Sequence, residues 1–179
     1  MKYRNIVVAG DVGTGTTTLA KSLADKLNFK YISAGDFFRK YALENAIPLW
    51  DKKSVPDSVD QEIDSKFFEI MKNESGYVFD THYGGYFARD LADVYRILLI
   101  CDNKIAEERI LKRDHTYLEN IPDIRKRRAE NLSKFNKLYS PKSPEEREYF
   151  HLVSDTTNST PEKTLNLALS EIEKGLPQR

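Results

Sequence analysis

Short apolar runs alternate with segments of helical periodicity along most of the chain. Between the first two runs, Leu19, Leu23 and Leu27 are spaced four apart, which predicts an amphipathic helix. Strand and helix alternate in this way throughout, and such alternation favours a parallel sheet with helices on both faces. We therefore predict an α/β fold with a five-stranded parallel sheet. The predicted strands cover residues 5–10, 29–33, 77–80, 95–101 and 149–155.

Helical periodicity fills the intervals between the predicted strands. Pro161 is suited to the first turn of the last helix. No internal repeat and no Pro/Gly-rich linker interrupts the alternation, so we expect a single domain over residues 1–179. The predicted helices cover residues 17–27, 36–45, 57–72, 104–114, 121–139 (one helix or a pair) and 161–174.

Composition changes this picture mainly by exclusion. Lysine plus arginine total 28 and aspartate plus glutamate total 28, so the charge balance gives no sign of nucleic-acid or membrane binding. The single cysteine, Cys101, excludes an intrachain disulfide, and its apolar neighbours predict a buried thiol. The apolar run near Met1 is too short for a signal peptide, and no run approaches the ~20 residues of a membrane span. We expect a soluble, cytoplasmic protein.

The stretch GDVGTGTTT (residues 10–18) separates the first predicted strand from the first predicted helix, and we call it the glycine loop. It matches the phosphate-loop pattern G-x-x-x-x-G-K-[ST] at Gly10, Gly15 and Thr17. The backbone N–H groups of such a loop and the following helix N-terminus bind phosphate oxygens, and the Thr17 hydroxyl is placed to bind Mg²⁺. A glycine-rich turn without a ligand is the alternative.

Thr16 stands where that pattern has a lysine. The lysine places a charge on the terminal phosphates, whereas threonine offers a hydrogen bond without charge. By analogy with the deletion of one transition-state donor, the loss is ~3 kcal/mol unless another cation replaces it. Arg109 and Arg113 lie four apart on one predicted helix face, where they either share a phosphate or point into solvent.

Ligands of parallel sheets bind beyond the C-terminal ends of the strands. Asp80 ends a predicted strand beside the glycine loop, where its carboxylate either orients Mg²⁺ or caps the next segment. Asp60 and Asp64 lie four apart on one predicted helix face, and this face either contacts a ligand or is solvated.

Two further groups of residues are candidates for a nucleic-acid-binding patch and for a zinc site, and neither has the pattern that such a site requires. Residues 125–128 are four consecutive basic residues, but aromatic residues are poorly interleaved with them, and we expect no nucleic-acid partner. His82, His115 and His151 have no metal-ligand spacing with one another or with Cys101, so we expect no zinc site.

Six stretches occur in a specific order: IVVAGDVGTGTTTLAKSLADKL, YISAGDFFRKYALE, DSVDQEID, ERILKRD, RRAENLSKFNKLY and FHLVSDTTNSTPEKT. Taken together, they resemble the nucleoside monophosphate kinases, and most closely the archaeal-type cytidylate kinases. The resemblance covers nearly the whole chain. The order and spacing of the six stretches are more specific than any one of them alone. It implies ATP-dependent phosphoryl transfer to a nucleoside monophosphate, most closely CMP or dCMP, with ATP and Mg²⁺ as cofactors.

The resemblance also implies an architecture and a donor site. Residues 36–72 would form a helical arm that binds the acceptor nucleotide, and residues 114–123 a short lid. Small-molecule nucleotides are the expected partners, with no nucleic acid and no membrane, and the protein is expected to be a monomer. The expected ATP-binding residues are Gly10, Asp11, Val12, Gly13, Thr14, Gly15, Thr16, Thr17, Thr18, Asp155 and Thr156, with Thr17 also on Mg²⁺.

The same resemblance implies the acceptor site and the catalytic residues. Arg39 would hold the acceptor's phosphate, and Arg109 and Arg113 would stabilise the transferring phosphoryl group. The expected catalytic residues are therefore Arg39, Asp80, Arg109 and Arg113. The expected acceptor-binding residues are Gly35, Phe38, Arg39, Asp60, His82, Gly85 and Arg128.

The chain departs from the family pattern at three positions that matter for function. His82 stands where the family has an arginine, which leaves the choice of nucleobase open, and Lys134 and Phe135 replace an arginine and a tyrosine. Two alternatives remain: a kinase of the same fold for AMP or another small acceptor, and a regulatory protein that binds nucleotide without turnover. Thr16 and His82 motivate the second.

Overall fold

The computed structural model describes residues 3–112 and 119–174, and its strands form one parallel sheet. The strand order is β2-β3-β1-β4-β5, with β1 at the centre, which confirms the predicted fold class. In the ladders, Val8 of the first strand and Ser33 of the second both lie level with Asp80 of the third, so these strands end together at one edge. The strands are β1 (Asn5–Ala9), β2 (Lys30–Ser33), β3 (Tyr77–Asp80), β4 (Val94–Ile100) and β5 (Leu152–Asp155).

β5 is shorter than predicted. Residues Arg147–Tyr149 form a 3₁₀ turn before it. The Tyr149 carbonyl accepts a hydrogen bond from the buried Arg96 Nε at 2.7 Å, and its ring packs on Tyr86 with centroids 5.7 Å apart. Tyr149 thus contacts the Arg96 side chain and the Tyr86 ring instead of entering the β4–β5 ladder. That ladder begins only at Leu152, opposite Ile97.

The helices follow the prediction closely, with one addition. Residues 121–138 form one helix, which starts with a capping box between Asn120 and Asp123. The single-turn helix after β3 was not predicted, because four residues are too few to show a helical period. The helices are α1 (Thr16–Leu27), α2 (Ala34–Glu44), α3 (Asp57–Asn73), α4 (Gly84–Phe87), α5 (Asn103–Leu111), α6 (Ile121–Leu138) and α7 (Pro161–Lys174), and a 3₁₀ turn spans Lys52–Ser54.

Apolar side chains fill both faces of the sheet. On one face, Leu23 of α1 and Ile172 of α7 pack against the strands. On the other, Phe67 and Met71 of α3 pack against Phe79 of β3. Full burial of each such side chain stabilises the fold by about 1.5–3 kcal/mol. This sandwich holds the strand ends that carry the polar residues described below.

The prediction that Cys101 is a buried thiol is met only in part. Cys101, at the end of β4, is only partly buried, and its Sγ accepts a hydrogen bond from Arg109 Nη1 at 3.3 Å. Within residues 3–112 and 119–174, no helix is both long enough and apolar enough to cross a bilayer.

Candidate functional site

The glycine loop connects β1 to α1 and has the backbone geometry of an anion site. Gly13 and Gly15 have φ values of 88° and 100°, which disfavour any side chain, and a Cβ on Gly13 would overlap the Ala106 carbonyl. Gly15 is the N-cap of α1 and offers no side chain to cap the first turn. The N–H groups of that turn and the helix dipole are therefore available to an anion.

Thr17 and Asp80 join the glycine loop to the end of β3. Thr17 Oγ1 donates a hydrogen bond to Asp80 Oδ2 at 2.6 Å, and the Tyr31 hydroxyl donates to the same oxygen at 3.1 Å. Burial and the charge of Asp80 raise the pKa of Tyr31, so its hydroxyl remains a donor. A hydroxyl and a carboxylate in contact are the hard oxygen ligands that Mg²⁺ prefers.

A cleft of about 180 Å³ opens beside this contact, on the side of α2 and α3, and we call it the arm-side cleft. Four of the seven acceptor-binding residues expected from sequence line it, namely Gly35, Phe38, Arg39 and His82. They lie there with Asp80, which was expected to be catalytic, and with Gly10, Asp11, Val12, Gly13, Thr16 and Thr17 of the glycine loop. It is also lined by Lys52, Asp64, Tyr83, Arg127 and Asn131, among others.

Arg39 reaches the cleft from α2. The Ser33 side chain caps this helix by accepting the Asp36 N–H at 3.2 Å, and the Arg39 guanidinium pairs with Asp36 at 2.5 Å. A Cβ on Gly35 would lie 3.2 Å from Arg39 Nη1, so the glycine leaves room for the guanidinium. The side chain is still 39% exposed, which leaves it accessible to a phosphate.

Asp60 and Asp64 are buried, so the face of α3 that carries them is not solvated. Asp60 is 1% exposed and pairs with Lys52 at 2.5 Å and with Lys134, behind the lining of the cleft. The expectation that Asp60 contacts the acceptor is therefore not met by its position. Lys134 thus serves as a partner of this buried carboxylate.

Asp64 lies one turn further along α3 and does line the cleft. Its Oδ2 accepts a hydrogen bond from the Tyr139 hydroxyl at 2.8 Å. Burial raises the pKa of this carboxyl to about 7, against the Tyr139 hydrogen bond, and the charge of Asp60 adds to the increase.

His82 lines the cleft just after β3 and stacks on Tyr83, with ring centroids 5.2 Å apart. Its Nε2 lies 3.2 Å from Glu145 Oε1. Burial opposes the charged imidazolium, but the Glu145 hydrogen bond and the charge of Asp11 outweigh it and raise the pKa of His82. Gly85, also expected at the acceptor, lies outside the lining, where a Cβ would overlap the Phe150 ring.

Arg128, expected at the acceptor, lies against the glycine loop instead. Arg128 Nε pairs with Asp11 at 2.9 Å and Nη2 donates to the Val12 carbonyl at 2.8 Å, so this arginine holds the glycine loop from α6. Arg127, not Arg128, lines the arm-side cleft, and it pairs with Glu119 at 3.0 Å. Arg127 and Asn131 are four apart on α6 and line the cleft together, but no pattern in the sequence marks Asn131 as a site residue.

The remaining basic residues of α6 face acidic or aromatic partners. Arg125 pairs with Glu107 at 2.8 Å, and Lys126 Nζ lies 4.0 Å from the centroid of the Trp50 ring.

Lys52 lines the cleft but was not predicted from sequence, because a 3₁₀ turn has no periodic pattern that would single it out.

Arg109 and Thr156 lie on the other side of the glycine loop. Arg109 Nη1 donates to Thr156 Oγ1 at 3.1 Å and Nη2 to the Thr156 carbonyl at 2.7 Å. Thr156 Oγ1 in turn donates to the Thr14 carbonyl at 2.8 Å. Together with Gly13, Gly15 and Thr18, these residues line a second hollow. Arg109 is thus separated from Arg39 by the loop.

Two expected residues remain. Asp155 is exposed, and its side chain accepts a hydrogen bond from the Thr157 N–H at 2.8 Å. It lines neither the arm-side cleft nor the second hollow. Arg113 lies outside the described residues, as do residues 114–118 of the expected lid.

The chain is similar to known proteins in both sequence and structure. A family model described as an AAA domain matches residues 6–133. The chain is 32% identical over 162 residues to the cytidylate kinase of Sulfurisphaera tokodaii, which covers 88% of this chain and 89% of that protein. It is 28% identical to the cytidylate kinase of Haloarcula marismortui over 96% of this chain and 91% of that protein.

Solved structures show the same fold at lower sequence identity. Shikimate kinase from Acinetobacter baumannii, in complex with shikimate, has a TM-score of 0.66 at 16% identity and covers 98% of this chain and 96% of its own. Deoxyadenosine kinase from M. mycoides has a TM-score of 0.57 at 16% identity, with 95% and 98% covered. At this identity the likeness shows the fold alone.

Proposed function

The chain belongs to the cytidylate kinase family, and on that premise we propose that it transfers the terminal phosphoryl group of ATP to CMP or dCMP. The observation that carries the proposal is the contact between Thr17 and Asp80. It places the candidate anion site of the glycine loop directly beside the arm-side cleft, which holds Arg39. A donor phosphate on the loop and an acceptor phosphate at Arg39 would then face each other.

The donor nucleotide is held mainly by backbone. The N–H groups of the glycine loop and the first turn of α1 bind its phosphates, and Arg128 keeps Asp11 and Val12 of the loop in place. The second hollow, with Arg109 and Thr156, receives the adenosine end because it lies on the opposite side of the loop from the cleft. Arg109 therefore contributes to ATP binding in this proposal.

Thr17 and Asp80 are the residues that fit Mg²⁺, because their oxygens are within hydrogen-bonding distance of each other. In the described part of the chain, no lysine or arginine forms an ion pair with Asp80, so its charge is available to a cation. When bound, Mg²⁺ neutralises charge on the donor phosphates. Tyr31 holds the Asp80 carboxylate in place through its hydroxyl.

Arg39 and Arg127 replace the charge that Thr16 does not carry. Both line the arm-side cleft, so both are near any phosphoryl group that moves from the glycine loop to an acceptor there. Phosphoryl transfer requires positive charge on the equatorial oxygens and little covalent chemistry from the protein. Arg113 remains a further expected cation outside the described residues.

The proposal is tested by measuring ADP formation from MgATP with CMP, dCMP, UMP, AMP and GMP in turn. We expect turnover that is fastest with CMP or dCMP. A fastest rate with AMP or GMP would overturn the assignment of the acceptor alone. No turnover with any of them would overturn the kinase proposal.

Thr16 also favours a second candidate, a regulatory protein that binds nucleotide without turnover. The same assay separates the two when it is combined with calorimetry. Tight binding of MgATP and CMP without formation of ADP is the result that this candidate predicts.

A further inference from the structure

Three carboxylates on one face of α3 differ in their partners. Asp57 pairs with Lys134 and Lys137, and Asp60 pairs with Lys52 and Lys134. Within the described part of the chain, no lysine, arginine or histidine forms an ion pair with the third carboxylate, Asp64. The one hydrogen bond that it receives there comes from the Tyr139 hydroxyl.

Asp64 is therefore a buried acceptor with unused capacity. Asp64 is only 4% exposed, and a carboxylate can accept hydrogen bonds from more than one donor. Burial of an under-paired carboxylate is unfavourable, so a position like this one requires a compensating interaction. Because Asp64 lines the arm-side cleft, that interaction is available from whatever molecule occupies the cleft.

The surroundings of Asp64 suit a flat, aromatic ligand group. The rings of Phe38 and Tyr83 line the same cleft, and Tyr83 packs on Tyr139 with centroids 6.3 Å apart. Aromatic rings offer faces on which a nucleobase can stack. A ribose hydroxyl is a donor as well, but it has no flat face to pair with these rings.

Building on the proposed function, we propose that Asp64 accepts a hydrogen bond from the exocyclic amine of the acceptor's base and thereby selects cytosine over uracil. Cytosine presents the N4 amino group as a donor, whereas uracil presents the O4 oxygen as an acceptor at the same position. An oxygen facing the ionised Asp64 carboxylate is repelled and leaves that group unpaired, so the selection is strongest above pH 7, where this carboxyl is ionised. A hydrogen bond to a charged group is worth about 10- to 100-fold in relative affinity.

The variant that tests this role is Asp64→Asn, with Asp57→Asn as its matched control. Asparagine presents both a donor and an acceptor, so it accommodates the uracil edge as well as the cytosine edge. Asp57 is on the same helix face and has the same kind of partners as Asp60, but it does not line the cleft. The readout is the ratio of kcat/KM for CMP to kcat/KM for UMP.

We expect Asp64→Asn to lower this ratio by about 10-fold or more and Asp57→Asn to leave it within about twofold. An unchanged ratio in Asp64→Asn would overturn the inference. So would a change in the ratio of CMP to dCMP instead, because it would place the ribose at Asp64. Thermal melting of both variants establishes that each is folded.

A second arm needs only the wild-type chain. The 5′-monophosphate of pyrimidin-2-one riboside has the shape of CMP but lacks the amino group. We expect its kcat/KM to be about 10-fold or more below that of CMP. Equal efficiency would overturn the inference while leaving the kinase proposal intact, whereas no turnover with CMP itself would contradict the proposed function and this inference with it.

Discussion

The Thr17 hydroxyl donates a 2.6 Å hydrogen bond to the Asp80 carboxylate and so joins the glycine loop to the end of β3. The two residues are separated by 63 positions in sequence, and they meet because β1 and β3 are neighbours whose ends are level. This contact lies where the loop meets the arm-side cleft. It is the structural reason for treating the loop and the cleft as two halves of one site.

Substitution of Asp80 should therefore impair phosphoryl transfer more than nucleotide binding. Asp80→Asn keeps the shape of the side chain but removes the charge that suits Mg²⁺. We expect kcat to fall by about 100-fold or more at saturating ATP and CMP. Steady-state ADP release measures this, and Asp90→Asn is the control because the Asp90 side chain is 84% exposed. Equal kcat values in the two variants would argue against a role for Asp80.

Arg127 should matter for turnover in a way that its neighbour Arg125 does not. Both arginines belong to α6 and pair with a glutamate, but only Arg127 lines the cleft. We expect Arg127→Ala to lower kcat by about 100-fold and Arg125→Ala to change it by no more than a few-fold. A similar small effect of both variants on kcat would refute the idea that Arg127 replaces the missing lysine.

Arg109→Ala should act on ATP rather than on the chemical step. The guanidinium contacts Thr156 on the far side of the loop from Arg39. We expect the KM for ATP to rise by about 10-fold while kcat changes little, because a hydrogen-bonding contact to bound ATP is lost in ground and transition states alike. A large fall in kcat with an unchanged KM for ATP would instead support the role in phosphoryl transfer that the sequence led us to expect.

Asp64 should make the ligand-free protein less stable as the pH rises from about 4 to about 7. Its pKa rises from 3.8, the ordinary value of an aspartate, to about 7 in the fold, so in this pH window the folded state holds a proton that the unfolded state has lost. Each pH unit in this window then costs at most about 1.4 kcal/mol of unfolding free energy. Burial is the main cause of the raised pKa, the charge of Asp60 adds to it, and Tyr139, Lys52 and His82 oppose it.

Urea unfolding of the wild type and Asp64→Asn at several pH values measures this dependence. We expect the curve of Asp64→Asn to be flatter between pH 5 and pH 7. The difference between the curves reports mainly on Asp64, since His82, whose pKa is also raised, titrates in both proteins. Parallel curves would contradict an under-paired Asp64.

The sheet could be predicted from sequence because strand and helix periods are local properties of the chain. The glycine loop could be predicted as well, since its spacing is fixed by the phosphate it would bind. The roles of Asp60 and Asp64 could not be separated, because both lie on one helix face and only the packing of Lys52 and Lys134 against Asp60 distinguishes them.

The roles of Arg127 and Arg128 could not be separated from sequence either. Arg127 and Arg128 are adjacent, and a helix turns by about 100° between neighbours, so one faces the cleft and the other the glycine loop. Composition and spacing do not reveal which way that helix is turned. Its contacts with the loop do.

In the proposed reaction, a phosphoryl group passes from the glycine loop into the arm-side cleft. The most direct measurement incubates the protein with CMP and ATP labelled at the γ-phosphate, in the presence of Mg²⁺, and separates the products. We expect the label to appear in CDP, in step with ADP formation. Label found only in inorganic phosphate, or retained in ATP, would contradict it.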